Sequence, residues 1–293
     1  MHRVRKSVVL IIIFAISLCS AQSLYAFGAG SLIDSINIQI NKDFMHYAEY
    51  SPNGQVLDTE SGNLPGFGVS LEGLPDKRIP VWCEVNLHTN YGDSNYKGSI
   101  EYYNLGFKVI IPETNTDHLF YINYGGRLGY AFFLYKNRIA VIPDLGFENV
   151  NWNRNIEPAN IRNIDVPGYI EHYRLNYYML GAKIYYTAYD RLWLEGELYY
   201  IHGFSNSMNT VLPISAASSI ATNYNLGSKS GYLLGFKIGY HANKILNPFI
   251  GVNYIKNEEG RSNIINLGNG LFINEPSDRY KQLLVDFGLK ILF

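Results

Sequence analysis

The sequence predicts an all-β protein in which one antiparallel sheet closes into an up-and-down barrel that spans a membrane. Three observations favour this fold. Along most of the chain after residue 34, apolar and polar side chains alternate at period two, as in strands with two different faces. The connections between these runs are alternately long and short. Tyrosine, with 25 copies, is the most abundant aromatic residue, and transmembrane barrels place aromatic girdles at both lipid interfaces.

Residues 1–26 have the pattern of a secretory signal peptide, in which three basic residues precede an apolar segment at 8–18. That segment is shorter than the roughly 20 residues a spanning helix needs, which disfavours an uncleaved anchor. Cleavage is predicted after Ala21 or Ala26, and residues 27–293 are predicted to form the barrel domain. Of 24 basic residues the signal removes three, leaving 21 against 25 acidic residues. This acidic balance disfavours nucleic acid as a partner.

The first five predicted strands lie between residues 35 and 150. In the first, three isoleucines face one way and three amide side chains the other, and the register is expected to fail after Lys42. The second and third place aliphatic and aromatic residues opposite glycines and polar groups. The fourth keeps one register through Gly125 and Gly126, which favours one long strand over a hairpin. The fifth alternates although it contains Pro143, a residue that disfavours central strands.

The last five predicted strands lie between residues 172 and 293. A shift of register is expected near Met179 in the first of them. The others place leucine, isoleucine, valine and aromatic residues on one face, opposite charged residues and glycines. In order, the ten predicted strands cover residues 35–49, 64–73, 81–91, 119–134, 139–150, 172–186, 191–203, 230–241, 248–257 and 280–293.

The lengths of the connections predict at which end of the barrel the turns, the loops and the termini lie. Short turns at one end and long loops at the other are typical of transmembrane barrels, and both termini then lie at the short-turn end. If residues 98–111 pair within the membrane, the barrel has twelve strands instead of ten with the same parity. The five long connections are predicted at residues 50–63, 92–117, 151–171, 204–229 and 258–279.

The last strand carries the most specific signal. Its apolar residues alternate, and the chain ends on an aromatic residue. This pattern resembles the C-terminal signature of small Gram-negative outer-membrane β-barrels of the porin-like and opacity/adhesin-like kind, which the barrel-assembly machinery reads. The resemblance implies an outer-membrane location, contact with outer-membrane lipid and lipopolysaccharide, and surface-exposed loops. The predicted assembly signal comprises Phe287, Leu289, Ile291 and Phe293.

The polar faces of the strands predict a lumen that contains charges of both signs. Buried charges need partners, so a network of acidic and basic side chains is expected inside the barrel. Arg127 is the hypothesised central donor, because one guanidinium can serve two carboxylates. The predicted network comprises Glu72, Glu84, Arg127, Asp144, Glu148, Lys183, Glu195, Glu197, Lys237, Asp286 and Lys290.

No motif specifies catalysis or a cofactor. Omptin proteases are barrels of similar length that need two acidic pairs and a histidine at the outer rim, and the closest match here is Asp117-His118. The spacing of His202 and Ser205 is wrong for a lipid A deacylase, and Trp152-Asn153-Arg154 matches only part of an outer-membrane phospholipase motif. The histidines lack the spacing of metal ligands. We therefore predict no catalytic, cofactor or metal site.

The predicted loops are long, and the predicted lumen is nearly filled by side chains. Together these features favour a barrel whose five long loops bind an external partner or have a structural role at the cell surface. The alternative is a narrow porin-like channel for small solutes. A membrane-embedded hydrolase is a third hypothesis, which would require a cluster of histidine, acid and nucleophile at the loop rim.

The fold hypothesis predicts how the mature chain behaves without detergent. Because one face of each strand is expected to contact lipid, residues 27–293 should aggregate in plain buffer and fold only in detergent or lipid. Size-exclusion chromatography with circular dichroism measures this. A compact, dissolved monomer in detergent-free buffer would contradict the membrane barrel.

Overall fold

The structure is a computed structural model that describes residues 33–73, 80–104, 107–136, 138–161, 164–189, 191–215, 218–268 and 271–293. The predicted signal peptide, residues 1–26, lies outside the described residues and stays a prediction. Among the described residues, no helix is long and apolar enough to cross a membrane.

All regular structure in the described residues is β-strand. The strands are β1 (Ser35–Tyr50), β2 (Val56–Gly73), β3 (Val81–Asn104), β4 (Phe107–Tyr130), β5 (Phe132–Leu134), β6 (Ile139–Ile156), β7 (Ala159–Ile161), β8 (Ile164–Val166), β9 (Tyr169–Tyr189), β10 (Leu192–Gly203), β11 (Ser207–Ser215), β12 (Ser218–Asn225), β13 (Ser230–Tyr240), β14 (Leu246–Glu259), β15 (Ile265–Gly268), β16 (Leu271–Ile273) and β17 (Ser277–Leu292).

Ten of these strands form a closed antiparallel barrel, in the ring order β1, β2, β3, β4, β6, β9, β10, β13, β14 and β17. The short strand β5 continues β4 along β6. The ring closes because β1 pairs with β17 from Ser35 opposite Leu292 to Tyr50 opposite Ser277. The prediction of ten strands is confirmed, and the twelve-stranded alternative is wrong, because residues 98–111 extend β3 and β4 instead of adding new strands to the ring.

A belt of exposed apolar side chains surrounds the barrel. Ile40 is 64% exposed, Leu128 55% and Leu180 66%, and so much exposed apolar surface is stable only against lipid. Within the belt, the lipid-facing and lumen-facing residues lie on the predicted sides of the strands, apart from the register changes expected after Lys42 and near Met179. The belt defines the membrane-spanning segments, which are residues 36–44, 65–71, 81–91, 120–130, 141–147, 178–186, 192–200, 232–240, 248–254 and 283–291.

The barrel continues well beyond the membrane at one end, and we call this part the upper tier. The predicted loops at 50–63, 92–117 and 151–171 are wrong in extent, because most of their residues extend strands. Only five residues separate β1 from β2, and β3 pairs with β4 up to Asn104 opposite Phe107. Above the lipid both faces of a strand can be polar, so these extensions lose the alternation by which strands are recognised.

Two predicted irregularities are also wrong. The register of β1 does not fail after Lys42, because its pairing with β17 continues through Met45 and Tyr47, whose side chains are buried in the lumen. The register of β9 does not shift near Met179, which lies opposite Gly146 in unbroken pairing with β6. In both places large apolar residues occupy the lumen face, which a strict apolar-out pattern does not anticipate.

The predicted loop at 204–229 contains a hairpin that rebuilds the barrel wall. Strand β10 ends at Gly203, and β11 then takes its place beside β9, with Ser207 opposite Arg174. Strand β12 pairs with β11. On the other side of the hairpin, the segment after β12 meets the end of β14 at Gly227 and Gly260. These two glycines exchange backbone hydrogen bonds of 3.1 and 2.5 Å. This contact, the Gly227–Gly260 seam, closes the upper tier.

The seam needs glycine at both positions. A Cβ atom on Gly227 would lie 2.9 Å from the Cα atom of Gly260, a distance that packed backbones do not tolerate. The lipid-facing Gly196 has no such constraint, because a Cβ at that position would meet nothing within 4 Å.

We therefore predict that Gly227→Ala opens the seam while the membrane part of the barrel stays folded. Protease cleavage within residues 204–229 is expected to be faster than in the unmodified protein, since local opening exposes the hairpin. Gly196→Ala is the matched control and should be cleaved at the original rate. Equal cleavage of all three proteins would show that the seam does not hold the upper tier closed.

Candidate functional site

The lower lumen contains a network of ion pairs centred on two basic residues. Arg127 on β4 lies 2.8 Å from Glu84 and 2.9 Å from Glu197, through separate nitrogens. Lys183 on β9 lies 3.0 Å from Glu84 and 3.1 Å from Glu195. All five side chains are nearly inaccessible to solvent. The network therefore joins β3, β4, β9 and β10 through the middle of the barrel.

Further residues extend this network toward the short-turn end. Lys237 lies 3.0 Å from Glu195, and Lys290 lies 2.5 Å from Glu72. The indole of Trp82 donates to Glu72 over 2.8 Å. Eight of the eleven predicted network residues are thus brought together, namely Glu72, Glu84, Arg127, Lys183, Glu195, Glu197, Lys237 and Lys290.

The other three predicted network residues have different surroundings. Asp144 accepts a hydrogen bond of 2.8 Å from Tyr199. Asp286 accepts from Gln39 and from Asn253, over 3.1 and 2.8 Å. Glu148 has no basic side chain within 4.0 Å among the described residues. These three acids are bonded to neutral groups or face the lumen without a cation.

An aromatic layer lies above the network. Trp152 is stacked between Tyr121 and Tyr173, with ring centroids 5.3 and 4.6 Å apart. Tyr47 packs edge-on against the same indole at 5.3 Å, and Tyr280 lies 5.7 Å from it. The sequence pattern did not reveal this layer, because Trp152 falls in the stretch predicted to be a loop.

A second charged cluster occupies the upper tier above the aromatic layer. Arg154 on β6 lies 2.9 Å from Glu60 and 2.6 Å from Glu171. Asp117 and Glu49 approach the same guanidinium at 3.7 and 4.0 Å. Arg154 is almost fully buried, so one cation joins acids from β1, β2, β4 and β9. Sequence reasoning missed this cluster, although the alternation of β6 continues from Val150 to Arg154 and could have indicated it.

The acids of the upper cluster outnumber its cation, and their titration reflects this. Burial raises the pKa of Asp117 to about 8, although Arg154 acts in the opposite direction. Burial also raises the pKa of Glu171, and Arg154 again opposes the shift. A surplus of buried carboxyl groups around one guanidinium therefore favours protonation of some of them near neutral pH.

The fold separates the side chains of Asp117 and His118, the pair that most nearly matches the omptin pattern. Asp117 points into the lumen, whereas His118 points outward and lies between Asp93 at 2.6 Å and Glu157 at 2.7 Å. These hydrogen bonds raise the pKa of His118, with Asp93 the larger influence. Both ring nitrogens face carboxylates, so these contacts stabilise the protonated imidazole.

The other sequence motifs are also separated by the fold. His202 pairs with Ser230 at 3.1 Å, and not with Ser205. Within the described ranges, no group of three or more histidine, cysteine, aspartate or glutamate residues is arranged to hold a metal ion.

Comparison with known proteins identifies the fold. No protein-family model and no characterised sequence matches the chain. Among solved structures, the outer membrane protease OmpT from Escherichia coli is similar with a TM-score of 0.60 and 10% identity, over 89% of this chain and 97% of that one. The translocator domain of autotransporter NalP from Neisseria meningitidis has a TM-score of 0.43 and 11% identity, over 98% of each chain. The fold of this chain is that of Gram-negative outer-membrane β-barrels.

We predict that Arg127→Ala lowers the free energy of unfolding by about 3–5 kcal/mol, because Glu84 and Glu197 are left buried and unpaired. Urea unfolding in detergent micelles measures the change. Arg191→Ala, at an exposed position near a short turn, is the control and should leave the unfolding midpoint unchanged. An unchanged midpoint for Arg127→Ala would remove this residue from its role as central donor.

The upper cluster generates a prediction with a pH dependence. Arg154→Met removes the one cation beside four acids, so the upper tier should be cleaved by proteases much faster at about pH 8 than in the unmodified protein. The folded-state pKa of Asp117 is raised above its ordinary value of 3.8. Its folded form therefore binds protons more tightly, and stability is lost as pH rises through about 8.

Acidification from about pH 8 to about pH 5 should therefore partly rescue Arg154→Met. The matched control is Arg174→Met, at an outward-facing position on β9. A cleavage rate of Arg154→Met that does not depend on pH would contradict the acidic origin of the instability.

Proposed function

We propose that this protein is a non-conducting outer-membrane barrel that presents its upper tier to an external partner at the cell surface. One observation carries the proposal: side-chain contacts of two different kinds cross the lumen at two heights. The ion pairs of Arg127 and Lys183 cross it within the membrane. Above them, Trp152 crosses it by packing against Tyr47 and Tyr280 of the facing strands β1 and β17. A water-filled pore would need both layers to be open.

Charged and aromatic layers block solutes for different reasons. Moving Arg127 or Lys183 aside would leave several acids buried without a cation, which is unfavourable in a low-dielectric interior. Moving Trp152 would expose a ring that is packed on both faces. The extended strands β3 and β4 and the hairpin of β11 and β12 instead form a large extracellular wall. Such a wall supports binding to a surface partner better than transport of a solute.

Planar-bilayer recording tests this function against the narrow channel. The purified protein is expected to give no steady single-channel steps. The double variant Arg127→Ala with Trp152→Ala, which removes one side chain from each layer, serves as a sensitivity control, because opening both layers should increase conductance. Steady steps from the unmodified protein would favour the channel for small solutes.

A basic row at the outer edge of the belt supports contact with lipopolysaccharide. His46, Lys281 and Lys256 face outward on three adjacent strands, directly opposite one another in the pairing of β1, β17 and β14. Lys281 and Lys256 are like charges placed opposite each other and repel, and Glu258, 3.5 Å from Lys256, offsets only part of this repulsion. Burial, followed by the positive charge of Lys281, lowers the pKa of His46. An anionic headgroup beside the row would relieve this repulsion, and lipopolysaccharide phosphates have the required charge.

We predict that the double substitution Lys256→Gln and Lys281→Gln weakens binding of purified lipopolysaccharide by about tenfold or more, since each lysine contributes about 1 kcal/mol near an anionic surface. Surface plasmon resonance in detergent measures the affinity. The matched control, Lys136→Gln with Lys244→Gln, removes two exposed lysines at the short-turn end of the barrel and should have little effect. Equal loss in both double variants would indicate attraction to net charge instead of a specific row.

A further inference from the structure

Three short turns form one continuous edge at the end of the barrel opposite the upper tier. Backbone hydrogen bonds join each turn to the next. The N–H group of Thr187 donates to the carbonyl of Arg138 over 2.8 Å, and the N–H group of His241 donates to the carbonyl of Arg191 over 2.7 Å. The barrel therefore holds the three turns in fixed positions relative to one another. They connect β5 to β6, β9 to β10 and β13 to β14, at residues 135–138, 190–191 and 241–245.

Four exposed basic side chains lie on these turns, and we call them the basic rim. The basic rim consists of Lys136, Arg138, Arg191 and Lys244. Among the described residues, no acidic side chain lies within 4.0 Å of any of them, and Arg191 donates to the neutral phenol of Tyr240 over 3.1 Å. The sequence of the turns contains one acid, Asp190, which lies outside the described residues. The rim therefore carries an excess of positive charge, which favours an anionic partner.

The first of these turns has an unfavourable backbone conformation for its residues. Tyr135 has a φ of 46° and Lys136 a φ of 55°, so both lie in the left-handed region. There the Cβ atom of an L-residue approaches a backbone carbonyl oxygen, and glycine or asparagine usually occupies such positions. The turn instead places a tyrosine and a lysine where the backbone disfavours them. Strain of this kind indicates that the side chains themselves have a role.

Exposed tyrosines place the basic rim at the membrane interface. Tyr135 is 70% exposed and Tyr189 is 74% exposed, and each is close in sequence to a cation of the rim. A tyrosine at the interface keeps its ring in lipid and its hydroxyl among headgroups. Short turns lie on the periplasmic side of outer-membrane barrels, where the leaflet consists of phospholipid. Lipopolysaccharide occupies the other leaflet, so the basic rim lies beside phospholipid headgroups.

We propose that the basic rim binds the headgroups of anionic phospholipids, of the phosphatidylglycerol class, in the periplasmic leaflet. The guanidinium groups of Arg138 and Arg191 match the geometry of phosphate oxygens and can bind them in pairs. Lys136 and Lys244 add positive charge on the two flanking turns. A zwitterionic headgroup carries its own cation, which the rim repels, so the anionic lipid is preferred. This proposal is independent of any partner of the upper tier, because the two surfaces lie on opposite sides of the membrane.

Native mass spectrometry tests the proposal by counting the phospholipids that stay bound when the mature barrel is released from bilayers. The bilayers contain equal amounts of phosphatidylglycerol and phosphatidylcholine. The background protein carries Lys256→Gln and Lys281→Gln, so that the basic row at the opposite end does not bind the same headgroup. It is expected to retain phosphatidylglycerol in preference to phosphatidylcholine. Adding Lys136→Gln and Lys244→Gln should reduce that preference by about tenfold or more, since each lysine near an anionic surface strengthens binding.

A charge-matched control locates the binding at the rim. Adding Lys97→Gln and Lys229→Gln to the same background removes two exposed lysines on the upper-tier side of the belt. This control should leave the preference for phosphatidylglycerol unchanged. Equal loss in the two sets of variants would indicate attraction to net charge and overturn the proposal. A background protein that retains both lipids equally would overturn it as well.

The single substitution Lys136→Asn separates lipid binding from the stability of the turn. Asparagine suits the left-handed conformation and carries no charge. In the same background, this variant should therefore unfold in urea at the same or a higher concentration, while its preference for phosphatidylglycerol falls by about threefold or more. Heat-modifiable migration in gels checks that every variant is folded. A folded Lys136→Asn variant with an undiminished preference would overturn the role assigned to the strained turn.

Discussion

The hydrogen bonding of the backbone in lipid is the constraint on which the rest of the structure depends. A membrane interior offers no partner to an unpaired N–H or C=O group, so the sheet has to close on itself. Closure is achieved when β1 pairs with β17 along its whole length, from Ser35 opposite Leu292 to Tyr50 opposite Ser277. The two ends of the described chain therefore complete one cylinder, and every lumen contact requires that cylinder.

Closure puts the polar side chains inside, where they must bind one another. Two guanidinium groups organise this interior at different heights, Arg127 within the membrane and Arg154 in the upper tier. The layer around Trp152 separates the two clusters. This arrangement fills the lumen with two charged clusters, an aromatic layer and a small cavity, which is why we favour binding over conduction as the function.

The lower network could be predicted from the sequence because lipid imposes the strictest pattern there. Where one face must be apolar, each charged residue of a strand belongs to the other face, so Glu84, Arg127 and Lys183 could be placed in the lumen by alternation alone. The upper cluster could not be placed in this way. Glu60, Asp117 and Arg154 lie on strands whose outer face contacts water, and polar residues on both faces of β2, β4 and β6 resemble loops.

The sequence by itself determined the number of membrane strands, which of their side chains face lipid, and the end at which the long connections lie. The reason is that lipid on one side and the lumen on the other require apolar and polar residues to alternate along each strand. The tertiary structure alone decided which charges meet, that β11 replaces β10 beside β9, and that Gly227 and Gly260 close the upper tier. These pairings join residues far apart in the chain, and their partners depend on register and strand tilt, which local alternation does not encode.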